Sequence, residues 1–164
     1  MELLKNTNRI SDFAEVEVDV DTIAKALGVS TEEYVESVTG TTLSGISEQW
    51  VANKLNGKRI LGEQLEWDVV VSHRPLKRIE VRNICKTAEI SFAPSTARGK
   101  GRFFDESTFL HKIGNIDSYV FVDMRDRLLT NPKLYEIPAE EVLKLYRSGV
   151  LNKKAAIGKT RFFK

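Results

Sequence analysis

Three charged side chains stand inside the most β-branched stretch of the chain. Asp68 precedes Val69-Val70-Val71, and Glu80 and Arg82 alternate with Ile79 and Val81. A strand turns alternate side chains to one face, so Glu80 and Arg82 share a face and Ile79 and Val81 point to the other. Charged groups inside a sheet are costly unless they pair with one another or coordinate a metal. Two carboxylates with a permanent cation beside them therefore read as a site, not as ordinary packing.

The elements that must present these groups follow from the same pattern. Valine and isoleucine enrichment predicts two buried strands, Glu66–Val71 and Lys77–Arg82, joined through His73-Arg74-Pro75-Leu76. Upstream, Ile46, Trp50, Val51 and Leu55 recur at helical spacing and predict a helix from about Ser44 to Leu55, with Glu48 off the apolar stripe. Asn56-Gly57 ends that helix, and Lys58-Arg59-Ile60-Leu61 starts the first strand of a sheet.

An acid at the end of one strand, Glu80-Val81-Arg82 on the next and Glu48 on the preceding helix resemble, in order and strand context, the PD-(D/E)xK nucleases, the restriction-endonuclease-like superfamily. The resemblance spans roughly Gly45 to Met124, about half the chain. Arg82 stands where the motif has lysine, and Trp67 where it has proline. What the resemblance implies is an α/β fold, a restriction-endonuclease-like central mixed sheet of four or five strands flanked by helices. It also implies a metal-dependent DNA endonuclease of restriction, homing or junction and repair type, with Glu48, Asp68, Glu80 and Arg82 as catalytic residues. Asp68 and Glu80 would hold Mg2+, or Mn2+ in its place, and the Val81 carbonyl is a further donor.

Phosphodiester hydrolysis needs an in-line water, neutralisation of charge on phosphorus and help for the departing oxygen. Magnesium supplies the last two and acidifies its bound water, and one or two carboxylates suffice to hold it. Arginine stays charged at any working pH, so Arg82 can stabilise charge or position water but is a poor base. Lys86, further along the same strand parity, would take over part of the lysine role, with Glu48 or a second water as base. Homodimerisation, a prokaryotic or phage origin and DNA as partner are further expectations from the resemblance. Two other readings remain: a catalytically decayed nuclease fold that binds DNA, and a small helix-turn-helix regulator.

Composition sets the class. The 164 residues, 41% hydrophobic and 29% charged, suit one soluble domain. No apolar run reaches the roughly 20 residues of a membrane span, the N-terminus lacks a secretory pattern, and the lone Cys85 excludes a disulfide framework. A cytoplasmic, membrane-free protein is the expectation. The net charge of +2 hides an asymmetry: residues 1–43 carry nine acidic and three basic side chains, residues 73–102 eight basic and two acidic, and residues 144–164 seven basic and no acidic ones. Basic clusters of this kind suit a polyanion. Arg98, Lys100 and Arg102 lie among glycines, which permit close backbone approach to phosphate. Lys86, and Lys159 and Arg161 in the basic, aromatic tail, complete the predicted DNA contacts; the tail's phenylalanines also suit docking on the core.

The remaining punctuation divides the chain into an acidic helical segment, 1–43, and a core, 44–164. Residues 15–21 alternate as an exposed strand or extended lead-in. Asp21 or Thr22 caps a helix that ends at Gly28, and Ser30 with Glu33 has capping-box spacing. The pair looks like a helix-turn-helix, yet its second helix holds Glu32, Glu33 and Glu36 and would be repelled by phosphate. Further on, Phe109, Leu110 and Ile113 face inward from a helix, Glu89–Phe92, Ser118–Asp123 and Lys133–Ile137 are strands, and Pro138 introduces a last helix closed by Gly149. His73 and His111 have no zinc-type spacing partners.

Overall fold

The computed structural model describes residues 11–38, 43–61, 67–72, 75–85, 89–94, 104–125 and 131–163, with the backbone alone for Ser11 and Asp12. In chain order come β1 (Ser11–Glu15), α1 (Val20–Leu27), α2 (Thr31–Ser37) and α3 (Ser44–Lys54). Then follow β2 (Lys58–Arg59), β3 (Val69–Val71), β4 (Lys77–Ile84), β5 (Glu89–Ser91) and α4 (Glu106–Asn115). The chain continues with β6 (Ser118–Asp123), β7 (Lys133–Pro138), α5 (Ala139–Arg147), β8 (Ala156–Gly158) and α6 (Lys159–Phe162).

Strand β6 is buried along almost its whole length, and the sheet grows outward from it. The strand order is β1-β7-β6-β4-β3-β2. Among the described residues only β4 and β6 run parallel, with Glu80 opposite Tyr119 and Arg82 opposite Phe121. A parallel pair of neighbours needs a crossover, and α4 lies in that connection. The other pairings are antiparallel. The result is a mixed α/β architecture. The described sheet has six strands where four or five were expected, because β1 adds itself to β7. β5 does not join it: it pairs with β8 in a separate two-stranded sheet.

Period-two alternation splits the core into two layers. On one face Ile84, Tyr119, Phe121 and Ile137 pack with Phe109 and Ile113 of α4, Val142 and Leu145 of α5, and Phe162. On the other, Val69, Val71, Ile79, Val81, Val120 and Val122 pack with Val51 and Ala52 of α3 and Val20 of α1. Leu110 is 39% exposed, so the buried residues of α4 are Phe109 and Ile113. The α3 stripe is also rotated from expectation. Ser47, Val51 and Ala52 are buried while Ile46 is 43% exposed. Ile46 and Trp50 instead line a cavity of about 320 Å³ with Val18, Ile23, Tyr34 and Leu43, because α1 and α2 cover that side of α3 incompletely.

Local signals explain the N-terminal helices. Asp19, not Asp21 or Thr22, caps α1: its carboxylate accepts from the Thr22 N–H and hydroxyl. Gly28 closes the helix at φ 73°, a conformation that costs glycine nothing. Ser30 and Glu33 exchange both capping-box bonds, at 3.1 and 2.8 Å. No residue of α2 is buried, and Glu32, Glu33 and Glu36 are exposed.

Candidate functional site

Strand β3 is short, and its departure from β4 creates the site. The Asp68 N–H still donates to the Ile79 carbonyl at 2.9 Å, and its carbonyl accepts from the Ile60 N–H at 2.8 Å. One residue further out, the Asp68 carboxylate takes over the work of the ladder. Its Oδ2 accepts the Val81 N–H at 2.7 Å. A backbone donor in mid-strand thus fixes this carboxylate beside β4.

Glu80 projects from the middle of β4 toward α4 and is 4% exposed. Burial of a carboxylate requires compensating charge, and two cations supply it. Arg82, two residues along the strand, places Nη2 2.9 Å from Oε1. Lys112 reaches down from α4 and places Nζ 2.6 Å from Oε2. Arg82 Nη2 also donates to the Ala93 carbonyl at 2.9 Å, so its guanidinium is pinned at two points. Its Nε is buried and has no hydrogen-bond acceptor among the described residues.

The electrostatics bind these groups together. Burial is the largest influence on Glu80 and pushes its carboxyl up to about 7; the Asp68 charge pushes the same way, while Arg82 and Lys112 pull it down. Glu48 lies on α3, with Oε2 2.7 Å from Arg59 Nε on β2. Burial raises its carboxyl above the usual range, the Arg59 bond opposes this, and the Asp68 charge adds to it. The Asp68 charge thus acts on both Glu48 and Glu80. Across β6, burial also raises the Tyr119 phenol well above its ordinary value, and its hydroxyl donates to the Phe92 carbonyl at 3.1 Å.

The residues fit magnesium in donor type. Asp68 and Glu80 offer oxygen only, and a buried carboxylate held above its ordinary pKa is one that a divalent cation would return to the charged form. They do not form a ready-made cage: no group of three or more His, Cys, Asp or Glu side chains among the described residues is arranged to hold an ion. Magnesium keeps most of its waters and needs no such cage. A metal on Glu80 would, however, meet oxygens already paired with Arg82 and Lys112.

The fold thus brings Asp68, Glu80 and Arg82 together, with Glu48 within electrostatic reach of Asp68. Lys159 lies elsewhere, its Nζ donating to the Cys85 carbonyl at 2.9 Å, and Arg161 is exposed on α6. Lys86, Arg98, Lys100 and Arg102 lie outside the described residues, as do Glu66 and His73. Sequence reasoning missed Lys112. A signal existed: it follows the buried Phe109 by three positions and precedes the buried Ile113, which puts it beside the inward stripe of α4. No protein-family model, no curated protein and no solved structure matches the chain.

Proposed function

We propose that the protein is a metal-dependent DNA endonuclease of the PD-(D/E)xK type. The observation that carries this reading is the buried Glu80, clasped by Arg82 and Lys112 on a strand whose Val81 N–H holds Asp68. Asp68 and Glu80 are the residues that would hold magnesium. When bound, the ion supplies charge neutralisation at phosphorus and a more acidic water. Arg82 keeps its charge throughout, which suits it to stabilise an anionic oxygen beside Glu80. In this reading Glu48, raised by burial and tied to Arg59, orients a water near Asp68. Lys159 and Arg161 extend the DNA contact, and a homodimer would address two strands.

A second reading has its own observation. Both oxygens of Glu80 are already paired with cations, which suits a nuclease fold that has lost catalysis and retains DNA binding. The experiment that separates the two is incubation with supercoiled, linear and branched DNA, in magnesium, manganese or EDTA, beside Asp68→Asn. The nuclease reading expects metal-dependent cutting that falls at least about a hundredfold in the variant, while salt-sensitive DNA binding persists. Binding without cutting in the parent protein sinks it in favour of the second reading.

A further inference from the structure

Lys112 comes from neither of the strands that carry the acids, and its attachment differs in kind from that of Arg82. The guanidinium of Arg82 is held by Glu80 Oε1 and by the Ala93 carbonyl, so it cannot leave without losing two acceptors. Among the described residues, Lys112 is held at Glu80 Oε2 alone. Its ammonium ends a flexible four-carbon stem, and its side chain is 17% exposed against 5% for Glu80, so a route outward exists.

A divalent cation on Glu80 competes for the oxygen that this ammonium occupies. The two cations repel strongly at such separations in a water-poor site, and the more loosely attached one is displaced. Resting on the nuclease reading, with Asp68 and Glu80 as ligands, we infer that Lys112 is a displaceable counterion. It neutralises Glu80 Oε2 in the metal-free protein, yields that oxygen when magnesium binds, and then offers its ammonium to the phosphate. One carboxylate oxygen trades an ammonium partner for a metal partner, and any proton held on Glu80 leaves to solvent as the metal binds. It spares the apo fold an uncompensated buried carboxylate. It also makes metal binding the event that readies a second cation for the DNA backbone, a job Arg82 alone performs otherwise.

The test follows the ammonium itself. The lysine side-chain 15N–1H signals of the full chain are recorded without DNA, first in EDTA and then through a magnesium titration. The Lys112 signal is assigned by its loss in Lys112→Met or, should that variant fail to fold, in Lys112→Arg. Calorimetry follows Mg2+ and Mn2+ binding in parallel. The expected result is a Lys112 signal that shifts or broadens along the same isotherm as metal binding. Lys112→Met should bind Mn2+ about tenfold tighter than the parent, and Lys112→Arg should return toward the parent. Metal binding that leaves the Lys112 signal in place overturns the inference and leaves the nuclease reading standing. Absence of both metal binding and cutting in the parent removes the two together.

Discussion

Glu80 concentrates the conflict at the residue scale, because a carboxylate 4% exposed must be charged to bind a cation. Its folded pKa of about 7 lies above the ordinary 4.5, so between these values the folded chain holds more protons than the unfolded one. Stability associated with Glu80 is then full below about pH 4.5 and is lost as pH rises toward 7, by on the order of 3 kcal/mol. Burial sets this window first, raised further by Asp68 and narrowed by Arg82 and Lys112. Denaturant unfolding of the metal-free protein at pH 5 and pH 7.5 measures the effect, with Glu80→Gln beside it. The parent should lose stability relative to the variant across that interval; parallel curves would refute the assignment.

At the scale of elements, the connection from α3 to the sheet decides where Glu48 stands. Asn56, at φ 52°, turns the chain out of the helix, and Gly57 then passes against β3. A Cβ at Gly57 would lie 2.7 Å from the Val70 carbonyl and 3.0 Å from a Val71 methyl. Backbone cannot yield as a side-chain tip does, so Gly57→Ala must push β2 and α3 away from β3. The expected cost is about 1–3 kcal/mol, read by denaturant unfolding. Because α3 and β2 carry the Glu48–Arg59 pair, cleavage should fall in the same variant beyond what its folded fraction explains. Unchanged stability would show that the turn relaxes freely.

The whole molecule ties its C-terminal tail to the layer that backs the site. Phe162 is 4% exposed and meets Phe121 edge-on at 5.2 Å, with Phe92 and Tyr135 further out. Beside it, Arg125 lies over the Phe163 ring at 3.8 Å. Of the two uses foreseen for the tail, docking on the core is the one its phenylalanines take, while Arg161 faces solvent. Phe162→Ala should cost about 3–5 kcal/mol, measured as a lower unfolding midpoint. An effect below about 1 kcal/mol would mean that the tail is an ornament of the fold. No helix among the described residues is long and apolar enough to cross a membrane.

Local rules made much of this legible in the amino-acid order. Alternation gave β4 its two faces and put Glu80 with Arg82, and the capping box at Ser30 and Glu33 formed because both partners lie within one turn. The bounds of β6 and the end of α3 at Asn56-Gly57 followed from burial pattern and turn chemistry. Periodicity says which side of a helix is apolar but not what covers it; hence Ile46 and Leu110, apolar by type, came out partly exposed. Strand pairing is likewise non-local, so the place of β1 beside β7 and of β5 beside β8 was decided by assembly. Lys112 shows the difference most sharply. The order of residues supplied Asp68, Glu80 and Arg82 within one predicted hairpin. The second cation sits 32 residues downstream of Glu80, and only the crossover through α4 brings its ammonium onto that carboxylate.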